Sequence, residues 1–510
     1  MISEQPDAFS GCSLLNQTRP EIPGQNPMTH TVEKIGGTSI ANTPVILDNV
    51  LINGREGDDL YNRIFVVSAY AGMTNLLLEH KKSGKPGVYA LFAKAENKWQ
   101  WSEALTELSE AMREKNHEVF GDHPDRKVAD NFVLERVEGV RNCLIDLHRL
   151  CSYGQFRLDE HLMTVREMLA ALGEAHSAHN TSLLLRQRDI NSVFVDFTGW
   201  RDDEKMSLDD RIRTSLQGID FSKELPICTG YASCVEGMVK LYDRGYTEVT
   251  FSRIGALTNA AEAIIHKEFH LSSADPKLVG NDKVMKIGKT NYDVADQLSN
   301  MGMEAVHPKA AKGLRQAGVP LRVKNTFDPS DAGTIITDDF HPEEARAEIV
   351  TGIKNLYAFE LFEQDMVGVK GYDAEALKAL TRHKVWIVSK SSNANTITHY
   401  VDCTRESLNR AAADLEALYE NAEVTTRELA IVSVIGANLD VPGMTAKATS
   451  ALYDAGINML GLQKLTRSTD LQLFVAKEDY DEAVRVLHKA LVEDESAHRD
   501  GDPAEIRTAA

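Results

Sequence analysis

The sequence predicts an α/β layered domain with a mostly parallel sheet, followed by a pair of smaller α+β units. Two observations predict the first part. Strand-like and helix-like stretches alternate from residue 30 to about residue 339, and the clearest strand, residues 63–68 (RIFVVS), is apolar and β-branched like a buried strand. A third observation predicts the rest: beyond residue 339 an order of strand, helix, two strands and helix occurs twice. That repeat is a duplication of pattern rather than of residues.

In order, residues 1–27 are polar and carry Pro6, Pro20, Pro23 and Pro27. They are expected to form a disordered leader before a structural start near Met28, with Cys12 of no consequence inside it. A short strand begins at His30. Residues 99–150, rich in Glu, Lys, Arg and Leu, read as a long helical region, and residues 159–187 as another helix. Strands are expected at residues 192–197, 225–229 and 320–324. In the first small unit strands fall at 356–362, 385–389 and 396–401, and helices at 375–382 and 405–419. In the second, strands fall at 431–436, 457–465 and 471–477, and helices at 444–455 and 479–491. This βαββα unit needs one further strand from before or after it. Residues 494–510 read as a frayed polar tail.

Composition excludes several classes of function. The chain has 510 residues, enough for several domains. Its net charge of −20 argues against a dedicated nucleic-acid binder, which needs a basic footprint. No run of 18 apolar residues suggests a membrane span, and residues 1–27 lack the basic start and apolar centre of a signal peptide. The six cysteines form no C-x-x-C pair, so a reduced, cytoplasmic protein without a disulfide framework or a zinc site is expected.

The sharpest chemical signal is Glu33-Lys34-Ile35-Gly36-Gly37-Thr38-Ser39, straight after the first strand. Adjacent glycines let backbone N–H groups approach a polyphosphate closely, and Lys34 sets a positive charge beside them. The pattern is neither a Walker A loop nor G-x-G-x-x-G. A second segment is Val67-Ser68-Ala69-Tyr70-Ala71-Gly72-Met73-Thr74-Asn75, a third Gly173-Glu174-Ala175-His176-Ser177. A fourth combines Gly302 and His307-Pro308 with Asn325-Thr326-Phe327 and Gly333-Thr334. Taken alone, Glu174 reads as a solvated helix charge, Ser68 as a turn residue and His307-Pro308 as a structural turn. His176 and His179 lack the H-E-x-x-H spacing of a metal site.

In this order the four segments resemble the signatures of the aspartokinases, within the amino-acid kinase superfamily. The paired C-terminal units resemble that family's tandem ACT domains. The resemblance implies an amino-acid-kinase-type domain over residues 28–340, one ACT domain over 345–425 and a second over 426–493. It implies ATP-binding residues Lys34, Gly36, Gly37 and Ser39, and substrate-binding residues Ser68, Thr74, Glu174, Arg244 and Glu248. Lys34 and Arg244 would be catalytic, with no protein-held metal and Mg²⁺ arriving with ATP. Glu174 would accept from the aspartate ammonium and Arg244 would clamp a carboxylate.

The chain also departs from the family pattern. Where relatives have a Gly-Gly pair and an Asp, it has Gly245-Tyr246 and Glu248, which implies a different backbone shape. The nucleotide segment reads His266-Lys267-Glu268-Phe269-His270-Leu271-Ser272-Ser273-Ala274-Asp275-Pro276-Lys277 and keeps only the Asp275-Pro276 end. Glu304 replaces the usual lysine before His307. This variant pattern, with Tyr292 to Leu298, is similar to the specialised aspartokinases of ectoine and hydroxyectoine synthesis. In the second ACT unit Gly443 and Lys447 fit the family, but the effector segment has become Gln463 to Ser468 and lost its acid. In the first unit Gln364, Asp365, Asn393 and Asn395 are the polar residues near unit ends, the asparagines reading as turn formers. The expected reaction converts ATP and L-aspartate to ADP and 4-phospho-L-aspartate. A homodimer built through the ACT domains and an amino-acid effector are the expected partners. The alternatives are a catalytically impaired amino-acid sensor and a kinase of another carboxylate such as glutamate.

Overall fold

The computed structural model describes residues 30–80, 83–94, 98–242, 245–303, 306–342, 346–464 and 466–493. The expected leader and tail, Arg244 and Glu304 lie outside the described residues.

The N-terminal part is built on an eight-stranded sheet. Its strands are β1 (Thr31–Ile35), β2 (Arg63–Val67), β3 (Ser192–Val195), β4 (Leu225–Thr229), β5 (Glu262–Lys267), β6 (Lys289–Asn291), β7 (Leu321–Asn325) and β8 (Thr334–Thr337), in the order β3-β4-β2-β1-β5-β7-β8-β6. The pairings from β3 through β7 are parallel; β8 runs antiparallel to β7 and carries β6 alongside it. All five residues of β2 and of β4 are buried, which explains why both strands are mainly apolar, with Arg63 and Thr229 as the polar ends. Strand β5 is not among the expected strands; its short Ala263-Ile264-Ile265 core is flanked by polar residues that hide it.

The expected helical region 99–150 is two helices, Lys98–Phe120 and Asp125–Cys151, separated by Gly121 in a left-handed conformation and Pro124. The helix Leu162–Arg186 buries nearly every residue from Leu169 to Leu185. A helix buried all round must be enclosed, and this one packs between the sheet and those two helices. His176 lies in a buried network with Asn116 and Asn180, and the His179 ring stacks on Phe132 at 4.0 Å. Burial holds both imidazoles neutral, at about 3 and about 4.

The C-terminal part is a six-stranded antiparallel sheet of β9 (Ile349–Phe362), β10 (Trp386–Ser392), β11 (Thr396–Asp402), β12 (Glu423–Ile435), β13 (Met459–Lys464) and β14 (Asp470–Val475), in the order β10-β11-β9-β12-β14-β13. Strands β9 and β12 pair along almost their whole length and run through both small units. The first half of β9, from Ile349 to Ile353, pairs with residues 431–435 of β12 and supplies the strand that the second βαββα unit lacks. The units are therefore interlocked. Asn393 accepts from the Asn395 and Thr396 N–H groups, the turn its sequence suggests.

Candidate active site

Strand order reverses direction around β1, with β2 on one side and β5 on the other. In open α/β sheets the crevice at such a point, beyond the carboxyl ends of the strands, is where ligands bind. Lys34 is the penultimate residue of β1 and Lys267 the last of β5. The chain leaves β1 through Gly36-Gly37 and enters the short helix Gly37–Ala41. A Cβ on Gly37 would sit 2.6 Å from the Ala69 carbonyl oxygen, so only glycine lets this turn approach the turn after β2. The Ala71 N–H donates to the Gly37 carbonyl and the Ser68 N–H to that of Ile35, locking the first two sequence segments together.

Glu248, in the first turn of the helix Tyr246–Leu257, reaches into this crevice. Lys34 Nζ donates to its Oε1 at 3.1 Å, and Lys267 Nζ lies 3.6 Å from the same oxygen. The His307 N–H donates to Oε2 at 2.5 Å. Burial opposes ionisation of Glu248, but Lys34, Lys267 and the His307 N–H outweigh it and hold the carboxyl down to about 2. His307 otherwise caps the helix Pro308–Ala317, accepting from the Lys309 N–H, as a structural turn should.

Glu174, on the long buried helix, is fully enclosed. Its Oε1 accepts from the Thr247 hydroxyl at 2.6 Å, while Oε2 makes no well-formed hydrogen bond among the described residues. Burial pushes its carboxyl up to about 8, against the weaker pull of Thr247, Lys34 and the Ala69 and Tyr231 N–H groups. Gly230, just after β4, leaves room for both: a Cβ there would lie 2.5 Å from Glu174 Oε2. Lys34, Thr247, Glu248 and Glu174 thus converge from β1, one helix N-terminus and one buried helix.

The remaining expected residues fall around this centre with different partners. Ser68 follows β2, and its carbonyl accepts from Ser177. Thr74 lies half-buried in the helix Met73–Leu77. Ser39 is buried, and its hydroxyl donates to Glu268 Oε1 at 2.6 Å. Tyr246, where a second glycine was expected, starts its helix directly after Gly245 and packs edge-on to Tyr231. The altered segment divides in two. Lys267 and Glu268 face the crevice residues, whereas Ser273 bonds His488 and the Val350 N–H, joining the C-terminal sheet. Sequence reasoning did not single out Lys267 or Thr247. The apolar run ending at Ile265 was the available signal for a strand that delivers Lys267.

A cavity of about 460 Å³ lies apart from Lys34, Glu174, Glu248 and Lys267, lined by Arg136, Glu167, Trp200, Tyr231 and Lys240 among others. Its strongest charges are engaged, Arg136 by Asp196 and Thr198, and Glu167 by the Tyr231 hydroxyl and the Val239 N–H. His270, Asp328 and Asp331 also cluster, but Lys286 already bonds both aspartates.

Residues 30–325 match the model of the amino acid kinase family, and residues 424–489 match an ACT domain. The chain belongs to the amino acid kinase family, and within it to the aspartokinases. It is 52% identical to aspartate kinase Ask_Ect of Stutzerimonas stutzeri strain A1501 over 92% of this chain and 98% of that one. In fold it is similar to E. coli aspartokinase III in complex with aspartate and ADP, at 19% identity and a TM-score of 0.67, covering 91% of this chain and 99% of that one. It is similar in the same way to Clostridium acetobutylicum aspartate kinase, at 18% identity and a TM-score of 0.65, covering 90% and 100%.

Proposed function

We propose that the chain transfers the γ-phosphoryl group of ATP to the side-chain carboxylate of L-aspartate. One carboxylate oxygen forms the new P–O bond, the bond from the γ-phosphorus to the bridging oxygen breaks, and ADP leaves. The observation that carries this reading is the crevice itself. A lysine held by an ionised carboxylate stands beside a glycine turn, and the buried Glu174 carboxyl lies near enough to feel the charge of the same lysine. Phosphoryl transfer needs positioning and charge neutralisation more than covalent help.

Lys34 stabilises the charge that builds on the transferring group, and Gly36 and Gly37 admit the phosphates. Glu174 accepts from the substrate ammonium, with Ser68, Thr74 and Arg244 as further substrate contacts. Glu248 acts by positioning Lys34. The two carboxylates nearest the glycine turn are engaged, Glu248 by lysines and Glu268 by Ser39, so the donor set does not suit a protein-held metal ion. Magnesium arriving with ATP would supply further charge neutralisation there.

The relationship to Ask_Ect supports a place in the supply of 4-phospho-L-aspartate for ectoine synthesis. The match of residues 424–489 to an ACT domain supports a homodimer and amino-acid sensing through the C-terminal part. No described helix is long and apolar enough to cross a membrane.

The test is hydroxamate trapping of the acyl phosphate with ATP and either aspartate or glutamate. Product with aspartate, and far less with glutamate, is expected. Equal rates with glutamate would favour the broader kinase reading, and no product with either would favour a sensor.

A further inference from the structure

We propose that Lys267 is a second catalytic cation of this phosphoryl transfer, contacting the phosphates from β5 while Lys34 contacts them from β1. The proposal rests on the function proposed above.

Alternation along the two strands puts the lysines together. Glu33 and His266 lie on one face, where the imidazole Nε2 meets Glu33 Oε2 at 2.7 Å. Lys34 and Lys267, the next residue of each strand, therefore project from the other face. Both ammonium groups reach the same oxygen, Glu248 Oε1. They consequently flank one small volume at the carboxyl ends of adjacent parallel strands, where a ligand is expected.

Their environment is costly for charge. The side chains of Lys34, Lys267 and Glu248 are 9%, 15% and 13% exposed. Two ammonium groups held this close repel each other, and an anion entering beside them relieves that repulsion while gaining from both charges. The Lys267 backbone is fixed as well, since its carbonyl accepts from the Thr326 N–H at 2.8 Å.

The chemistry uses two cations naturally. As the bond to the bridging oxygen breaks, negative charge grows on the departing β-phosphate while the transferring group still carries its own. A pair of ammonium groups on either side of that bond meets both ends of the redistribution. Glu248 is then the positioning residue that holds the pair apart and aimed.

The experiment compares Lys267→Met, Lys267→Gln and Lys267→Arg with Lys34→Ala in the full chain, by steady-state kinetics, ADP binding and thermal melting. Lys267→Met and Lys267→Gln should lower kcat on the order of 10- to 100-fold with KM for aspartate changed less than about threefold. Lys267→Arg should recover a large part of the loss. A kcat within about twofold of the parent for a folded Lys267→Met or Lys267→Gln overturns the proposal. So does a loss confined to melting temperature, the mark of a purely structural ion pair. The two readings fail separately: normal kcat in Lys34→Ala sinks the proposed function, whereas normal kcat only in the Lys267 variants sinks this inference alone.

Discussion

Two consecutive residues of β1, Glu33 and Lys34, enter two buried charge clusters on opposite faces of one sheet, and the clusters differ in how completely they are satisfied. On the first face, Arg63 donates to both oxygens of Glu33 at 2.7 and 3.2 Å, and two more of its N–H groups donate to the Val50 and Leu51 carbonyls. Burial opposes the charge on Glu33, but Arg63 and His266 outweigh it and hold the carboxyl well below the usual range. The planar guanidinium places four of its five N–H donors within the fold, so little is left for a ligand. On the second face, Glu248 meets two flexible lysines at 3.1 and 3.6 Å beside a glycine turn. Ammonium groups can turn from a carboxylate to a phosphate. The first cluster is built for structure and the second for exchange of partners.

Breaking each cluster should expose that difference. The largest effect is expected from Arg63→Met, which strands the buried Glu33 carboxylate. We expect a loss of about 3–5 kcal/mol in urea unfolding, with kcat per folded molecule nearly unchanged. Lys34→Ala should do the reverse, lowering kcat and kcat/KM together by on the order of 100-fold while melting stays near that of the parent.

Gly37→Ala should fall between these two. The new methyl would press on the Ala69 carbonyl and shift the turn after β1. A destabilisation of about 1–3 kcal/mol is expected, together with reduced kcat, measured by unfolding and initial rates.

The mildest effect, and the most informative about substrate, concerns pH and Glu174. Its carboxyl keeps a proton up to about 8, whereas in the unfolded chain it ionises near 4.5. The folded state binds more protons between those values, so this group's contribution to stability is fully present below the lower value and falls as pH rises through the upper one. Binding a substrate ammonium needs the ionised form. KM for aspartate should therefore fall as pH rises through the same window, and binding should release a proton to solvent. Glu174→Gln should flatten both trends and raise KM by about tenfold or more, read from kinetics and calorimetry in two buffers.

Much of this was legible in the sequence. The apolar run of β2 after Arg63 located a buried strand, whereas the K-x-G-G-T-S segment pointed to a phosphate site only through resemblance, because a glycine pair after a strand is more often a plain tight turn. Glu174 could be singled out only through resemblance, since nothing local reveals that its helix is buried on all sides. Strand β5 stayed hidden because polar residues surround three apolar ones. Without β5 there was no way to see that Lys267 stands beside Lys34. The missing strand of the second small unit was legible as a need but not as an address. Its donor, the start of β9, lies about 80 residues before β12 in the chain, and pairing at that distance leaves no local trace.

The central claim is that phosphoryl transfer occurs on the Lys34–Glu248 face and not on the Glu33–Arg63 face. A crystal structure of the chain with a non-hydrolysable ATP analogue and aspartate tests it most directly. We predict a terminal phosphate oxygen within about 3 Å of Lys34 Nζ, with the aspartate ammonium on Glu174. Phosphates bound on the Arg63 side of the sheet, or aspartate with no contact to Glu174, would contradict the account.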